Sequence, residues 1–451
     1  MATQARKRTF NFFGDRLMLV LGVALLFVAA GLFLFPSTAK PDVPPPPVAN
    51  PSDIVASGVT TSGYANRVIT QEQNRLQQDP KSDTALSQLG LAYLQKARET
   101  NDPTFYVNAD DALKKALAAN PTSFEATAAM GSLALSRHLF QDALNWGIKA
   151  RGIGPQKAYA YGVIADAQTE IGDYDQAVET LTSMVNLRPD LSSYSRISYA
   201  RELHGDVDGA ITAMKQAVEA GGPAPENSSW SHVQLGNLYF NSGKLDLAEA
   251  QYNSALAVFP GYLHAQAGLA QVRAAQGRSN EAVALYKQAI ANVPLPQYVQ
   301  ALGDLYTSIG NAGEAKKQYD LVDYTYHVFD VNGVETGIEK AAFYADQGRS
   351  TDQAVKLAED TAGRRHDIHT LDTLAWARYQ AGRYSDALAA AQQALRLGTK
   401  SSLLLYHIGM IYNKLGDTAN ARKNLQAALD ISPYFNVKYA PQTDALLKGM
   451  K

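Results

Sequence analysis

The densest run of chemically capable side chains is Arg364-Arg365-His366-Asp367-Ile368-His369, with Asp372 just beyond and His407 further on. On a helix, two imidazoles three residues apart share a face with a carboxylate three residues later, and such a set can hold a transition metal. The competing use is a solvated helix entry, with Asp367 placed against the positive end of the helix dipole. Neither ligand count nor spacing matches a defined metal site, so no metal is expected. The chain has no Cys, which removes thiolate ligands, a thiol nucleophile and disulfides together. It also lacks a Gly-rich phosphate loop, a paired-carboxylate cleft and a Ser nucleophile elbow. No catalytic residue, no cofactor and no small-molecule substrate are expected. The 41 Lys+Arg and 43 Asp+Glu leave a formal charge of −2, with no basic cluster past the N-terminus. That balance argues against a nucleic-acid partner, whose phosphates need a basic face. Asn227-Ser228-Ser229 is a glycosylation sequon that matters only in a eukaryotic secretory setting.

Most of the chain is periodic, and the period explains where its polar and aromatic residues fall. Pro121, Pro155, Pro189 and Pro223 stand 34 residues apart, as do Pro260 and Pro294. Gly172, Gly205, Gly243, Gly277, Gly310, Gly348, Gly382 and Gly416 keep the same beat. An Ala series marks ten units: Ala109, Ala143, Ala177, Ala210, Ala248, Ala282, Ala315, Ala354, Ala387 and Ala421. The clearest units open with Leu89-Gly90-x2-Tyr93, Leu235-Gly236-x2-Tyr239, Leu302-Gly303-x2-Tyr306 and Ile408-Gly409-x2-Tyr412. Each position has a physical task. The small residue lets one helix approach the next, and the Tyr three residues on fills the gap on the same face. The Gly ends the first helix in a left-handed turn, the Ala gives a second close approach, and the Pro ends the second helix.

This pattern resembles the tetratricopeptide repeat, a 34-residue helical hairpin, over residues 82–433. The resemblance implies an all-α, right-handed superhelical solenoid of about ten hairpins that stack to bury a core no hairpin could bury alone. The beat is broken at three places. The first unit has extra residues around Glu99 to Phe105, expected as a lengthened hairpin loop. The fourth and fifth units are spread by Gly221-Gly222-Pro223-Ala224-Pro225. The seventh and eighth are spread around Asp330-Val331-Asn332-Gly333, expected as a turn that kinks the array. Residues 61–81 read as a capping helix and 434–451 as a cap at the far end.

Members of this family bind peptide segments in a concave groove lined by the first helix of each unit, at its positions two, five, nine and twelve. Those positions hold Tyr159, Asp166, Tyr199, Glu202, Trp230, Asn237, Phe240, His264, Gln271, Gln300, Asp304, His369, Asp372, Trp376, Tyr379, Tyr406 and Asn413. Aromatic side chains bury large areas at low entropic cost, which suits a binding surface. Packing between repeats is the competing use for each. The low charge density in units four to six implies recognition by shape and stacking. A carboxylate clamp of the chaperone-binding type needs a Lys at position five, where Val233, Gln300 and Asp372 stand instead, so that partner class is not expected.

Residues 17–35, LMLVLGVALLFVAAGLFLF, carry no charge and as a helix would span roughly 28 Å, close to the bilayer hydrocarbon. Arg6, Lys7, Arg8 and Arg16 precede them, so the positive-inside rule puts residues 1–16 in the cytoplasm and the array across the membrane. The run is longer than a secretory h-region of about 7–15 residues, which favours an uncleaved anchor. Residues 36–60 then form a Pro-rich tether, whose first 18 residues reach roughly 55 Å in polyproline II form. The sequence thus describes a single-pass inner-membrane scaffold that holds partner proteins outside the cytoplasm, in assembly or maturation of a bacterial envelope complex. An organelle-surface receptor with a cytosolic array and a metal-binding accessory protein are the alternatives.

Overall fold

The computed structural model describes residues 63–450 apart from Pro223, and the anchor and tether expected over 1–60 lie outside them. Among the described residues there are 22 α-helices and no strand, and no helix is long and apolar enough to cross a membrane. Helix α1 (Gly63–Gln78) is followed by the first hairpin, α2 (Asp83–Thr100) and α3 (Thr104–Ala119). The next four hairpins are α4 (Phe124–Ser136) with α5 (Phe140–Ile153), α6 (Ala158–Ile171) with α7 (Tyr174–Leu187), α8 (Leu191–Leu203) with α9 (Val207–Ala220), and α10 (Pro225–Asn241) with α11 (Leu245–Val258). Then come α12 (Leu263–Ala275) with α13 (Ser279–Ile290), α14 (Pro296–Ser308) with α15 (Ala312–Val331), and α16 (Gly337–Asp346) with α17 (Thr351–Ala362). The last two are α18 (Ile368–Gln380) with α19 (Tyr384–Ala394) and α20 (Ser402–Lys414) with α21 (Thr418–Ile431), and α22 (Tyr439–Gly449) ends the described chain.

The small residues of the repeat act as close-approach points. A Cβ at Gly90 would stand 2.5 Å from Leu113, one at Gly236 would stand 2.6 Å from the Tyr252 ring, and one at Gly409 would stand 2.8 Å from Leu425. Each neighbour is fully buried, so hairpin packing leaves no room for even a methyl group there. The departures from the beat resolve differently from the expectation. The extra residues of the first unit lengthen α2 to 18 residues, and Asn101 at φ 57° closes it; no long loop forms. The extra residues after unit seven lengthen α15 to 20 residues before a turn at Gly333.

The hairpins coil tightly enough for successive turns of the coil to touch. The His366 N–H donates to the Ile171 carbonyl at 2.7 Å, and the Ile368 N–H donates to the Tyr174 hydroxyl at 2.8 Å. The Glu335 N–H donates to the Arg137 carbonyl at 2.9 Å, and His138 Nδ1 lies 2.9 Å from the Glu335 carbonyl oxygen. The Thr399 hydroxyl donates to the Leu203 carbonyl, and the Ser432 hydroxyl to the Phe240 carbonyl at 3.5 Å. The side-chain bonds in this series span 192 to 197 residues, between five and six repeat lengths. In each case the turn inside one hairpin meets the linker that follows a hairpin five units on. Gly172 and Gly205 sit at these contacts with φ of 101° and 76°. A Cβ at Gly172 would lie 2.7 Å from the His366 carbonyl carbon, and one at Gly205 would overlap the Gly398 carbonyl oxygen.

The start of the coil is also tied to its middle. Glu226, at the start of α10 and only 2% exposed, accepts from Gln95 Nε2 at 3.2 Å and from the Tyr262 hydroxyl at 2.9 Å. Arg98 Nε lies 3.8 Å from the same carboxylate. The first unit thereby closes against the fifth and sixth.

Candidate functional site

That closure encloses an open-ended cavity of ≈1190 Å³ inside units one to five. Its walls are the inner faces of α2, α4, α6, α8 and α10. The sequence positions Tyr159, Asp166, Tyr199, Glu202, Trp230 and Asn237 all reach it. Asp166 holds Arg196 in a two-pronged pair, at 2.8 Å to Nε and 2.6 Å to Nη2. The Tyr159 and Ser132 hydroxyls are 2.7 Å apart. Asn237 Oδ1 accepts from the Tyr252 hydroxyl at 2.9 Å, so its NH2 is what it can offer a ligand. Tyr159 and Tyr199 keep 37% and 36% of their surface accessible, yet desolvation pushes both phenols above their ordinary pKa. A solvent-accessible space surrounded by protein accounts for both observations.

On α10 the inward stripe is rotated from the expected one, whereas on α6 and α8 positions five and twelve still line the cavity at Ser195, Thr169 and Glu202. In α10 the cavity is lined by Trp230, Gln234, Asn237 and Asn241, which are positions two, six, nine and thirteen. Val233 and Phe240, at positions five and twelve, are buried in the core. Arg196 and Glu170 are the position-six and position-thirteen residues that sequence reasoning missed in units four and three. A step of four and then three along a 3.6-residue helix predicts this stripe as well as the reverse order does. The lining holds five carboxylates, Asp166, Glu170, Asp190, Glu202 and Glu226, against Arg98, Arg188 and Arg196.

The other expected groove residues lie elsewhere, mostly in contact with the chain itself. His264 Nε2 is 3.1 Å from Asn101 Oδ1 and its Nδ1 is 2.6 Å from the Tyr298 hydroxyl; burial pushes its pKa down to about 4. Gln271 is half-buried on α12 and does not line the cavity. Gln300 Nε2 donates to Asp346 Oδ2 at 3.1 Å. Asp304 accepts from the Tyr319 hydroxyl at 2.8 Å and pairs with Lys438 at 2.7 Å. Trp376 stacks on Tyr379 at 4.6 Å and on His407 at 4.2 Å, and its Nε1 donates to Asp346 at 3.0 Å. Tyr406 stacks on Tyr439 at 4.6 Å. In units seven to ten, therefore, the expected groove is filled by Lys438 and Tyr439 at the entrance to α22. The aromatic residues there are core, and Lys438 and Tyr439 of the C-terminal segment reach into the interior.

The His-rich run does not assemble either. Asp367 caps α18, accepting from the His369 and Thr370 N–H groups at 3.0 and 2.9 Å. Asp372 is held by His407 Nδ1 at 2.9 Å, and His369 is exposed. Among the described residues no three His, Cys, Asp or Glu side chains converge on a point that could hold a metal ion.

Tetratricopeptide-repeat models match residues 233–295 and 373–434, and another such model matches 158–191. The chain is 31% identical over 109 residues to mouse tetratricopeptide repeat protein 36. This chain is a tetratricopeptide-repeat protein. The match to the mouse relative covers 23% of this chain and 59% of the relative's length. Among solved structures, the tetratricopeptide array is similar to the APC/C hetero-tetramer Cut9-Hcn1, at 16% identity and a TM-score of 0.46, covering 81% of this chain and 63% of that one. It is similar to the human IFIT1 dimer with m7Gppp-AAAA at 16% identity and a TM-score of 0.47, covering 73% and 76%. A thermophilic tetratricopeptide-repeat protein of Thermus thermophilus is 24% identical with a TM-score of 0.37, covering 42% of this chain and 98% of that one.

Proposed function

We propose that this protein is a scaffold that captures a polypeptide segment of a partner inside the cavity of units one to five. The supporting observation is the cavity itself, which brings Tyr159, Tyr199 and Trp230 together with the amides of Gln95, Gln234 and Asn237. Its volume exceeds that of a typical small-molecule pocket, about 300–1,000 Å³. Aromatic anchors beside amide groups suit an extended peptide, whose backbone needs both apolar cover and hydrogen-bond partners. The excess of carboxylates disfavours a phosphate chain. Peptides selected from a random displayed library on the full chain should lose at least ~tenfold in affinity on Trp230→Ala, with helical content unchanged. Tyr252→Ala, at a fully buried packing position, should lower stability instead. Selected peptides that bind Trp230→Ala as tightly as wild type would rule the cavity out.

The apolar run 17–35 and its basic flank support a second element of the proposal: a membrane anchor that presents the array outside the cytoplasm, in a bacterial envelope assembly. A topology reporter fused after Asp53 should be active only on the far side of the membrane. Activity in the cytosol would overturn this element and leave the cavity reading intact.

A further inference from the structure

Resting on the cavity reading above, we propose that the captured segment carries basic side chains, a Lys or Arg next to an aromatic residue, and that Glu170 and Glu202 receive the positive charge. Most charges on the wall are already matched. Arg196 is taken by Asp166, Arg188 lies 2.7 Å from Asp190, and Arg98 lies 3.8 Å from Glu226. Two carboxylates remain. Glu202 has a hydrogen bond from Asn241, and among the described residues it forms no ion pair. Glu170 has Arg365 at 3.8 Å, which it shares with Asp367 at 3.4 Å. Desolvation, followed by the charge of Asp367, pushes the Glu170 carboxyl up to about 7, and desolvation pushes Glu202 up as well. A wall that holds carboxylates out of bulk water without a full countercharge favours a ligand that brings one.

The same molecule shows how such a wall is satisfied. On the inner face of units seven to nine, Asp304 and Asp346 are enclosed carboxylates on the corresponding helices. There Lys438 Nζ meets Asp304 at 2.7 Å, and the adjacent Tyr439 donates its hydroxyl to Asp346 at 2.8 Å while its ring lies against Trp376 and Tyr406. A basic residue next to an aromatic one, entering from the chain's own C-terminal segment, completes that half of the interior. Units three to five present the same elements, two carboxylates beside Tyr199 and Trp230, and no part of the described chain enters to meet them.

The test compares two selections from one random displayed peptide library, on the wild-type full chain and on Glu170→Gln/Glu202→Gln. Peptides that depend on Trp230 should be enriched in Lys and Arg on wild type and not on the double variant. Replacing the basic residues of a selected peptide by Gln should cost ~tenfold or more on wild type and little on the variant. Trp230-dependent peptides that are neutral or acidic, or that keep their Lys and Arg on the double variant, would overturn the proposal while sparing the cavity. A selection that yields no Trp230-dependent peptide would overturn both.

Discussion

Replacing Gly205 by Ala tests the tight coiling, because a matched control isolates the contact between successive turns. Gly205 and Gly277 occupy the same hairpin-turn position with φ of 76° and 74°. An Ala at either site is held in the left-handed region, at a cost of about 1–2 kcal/mol. At Gly277 nothing lies within 4 Å of the new methyl group, so that strain is the whole effect. At Gly205 the methyl would overlap the Gly398 carbonyl oxygen, with the carbonyl carbon 3.3 Å away, and a backbone atom cannot swing aside as a flexible side chain can. Overpacking of this kind adds about 1–3 kcal/mol. Displacing the linker also endangers the buried bond from Thr399 to the Leu203 carbonyl, worth about 1 kcal/mol. Gly205→Ala should therefore exceed Gly277→Ala by about 2 kcal/mol, a roughly thirtyfold difference in local opening. Repeat arrays unfold in parts, so native-state hydrogen exchange over units four, nine and ten is a better assay than a single melting temperature. Equal effects of the two substitutions, within about 0.5 kcal/mol, would show that the turns of the coil do not touch in solution.

Two further predictions concern the buried charges. Glu170 binds its proton more tightly in the folded state, up to about 7 against an ordinary 4.5, so its favourable contribution is present below the unfolded value and lost as pH rises through the folded one. Asp166, Glu339, Arg365 and Asp367 are the charged groups around it. Glu170→Gln should match wild type in melting temperature near about pH 4.5 and exceed it by about pH 8, and parallel curves would refute the assignment. Lys438→Met should destabilise the array by about 3 kcal/mol, because it strands Asp304 in the interior, with most of the loss recovered in Lys438→Met/Asp304→Asn; additive effects in that cycle would mean the pair is not formed.

Much of the fold was legible because its signals are local. A Gly at the end of a helix, a small residue opposite Tyr252 or Leu113, and a Pro every 34 residues each report a contact within one hairpin or with the next. The coiling of the array has no such marker. Its inter-turn bonds use the carbonyls of Arg137, Ile171, Leu203 and Phe240, groups that every residue carries, and it depends on small rotations accumulated over five units. The glycines at the contacts are the same ones the hairpin turn requires, so Gly172 and Gly205 could not be told from Gly277 by inspection. The candidate site was half legible for a related reason. Position counting along α6, α8 and α10 found Tyr159, Asp166, Tyr199, Trp230 and Asn237, because inward faces recur with the repeat. It missed Arg196 and Glu170 because the inward face of α6 and α8 is wider than the four counted positions. It also placed Trp376 and Tyr406 at a surface that Tyr439 covers, since nothing periodic marks where the last helix will fold.

That last displacement bears on how the interior is divided. An inner face of aromatic residues and carboxylates is costly to leave facing only water and other carboxylates, because the charges are partly desolvated and the rings incompletely covered. Units seven to nine resolve the cost within the chain: Lys438 neutralises Asp304, and Tyr439 both covers Trp376 and bonds to Asp346. The middle of the coil resolves it by self-closure, with Glu226 satisfied from the first and sixth units. The wall around Glu170, Tyr199 and Glu202 is left without such an internal solution among the described residues. The extra helical turn of α2 serves the self-closure, because Asn101 at its end lies 3.1 Å from His264 Nε2, so residues that break the 34-residue beat there also help to shape the stretch of inner face left open to a partner.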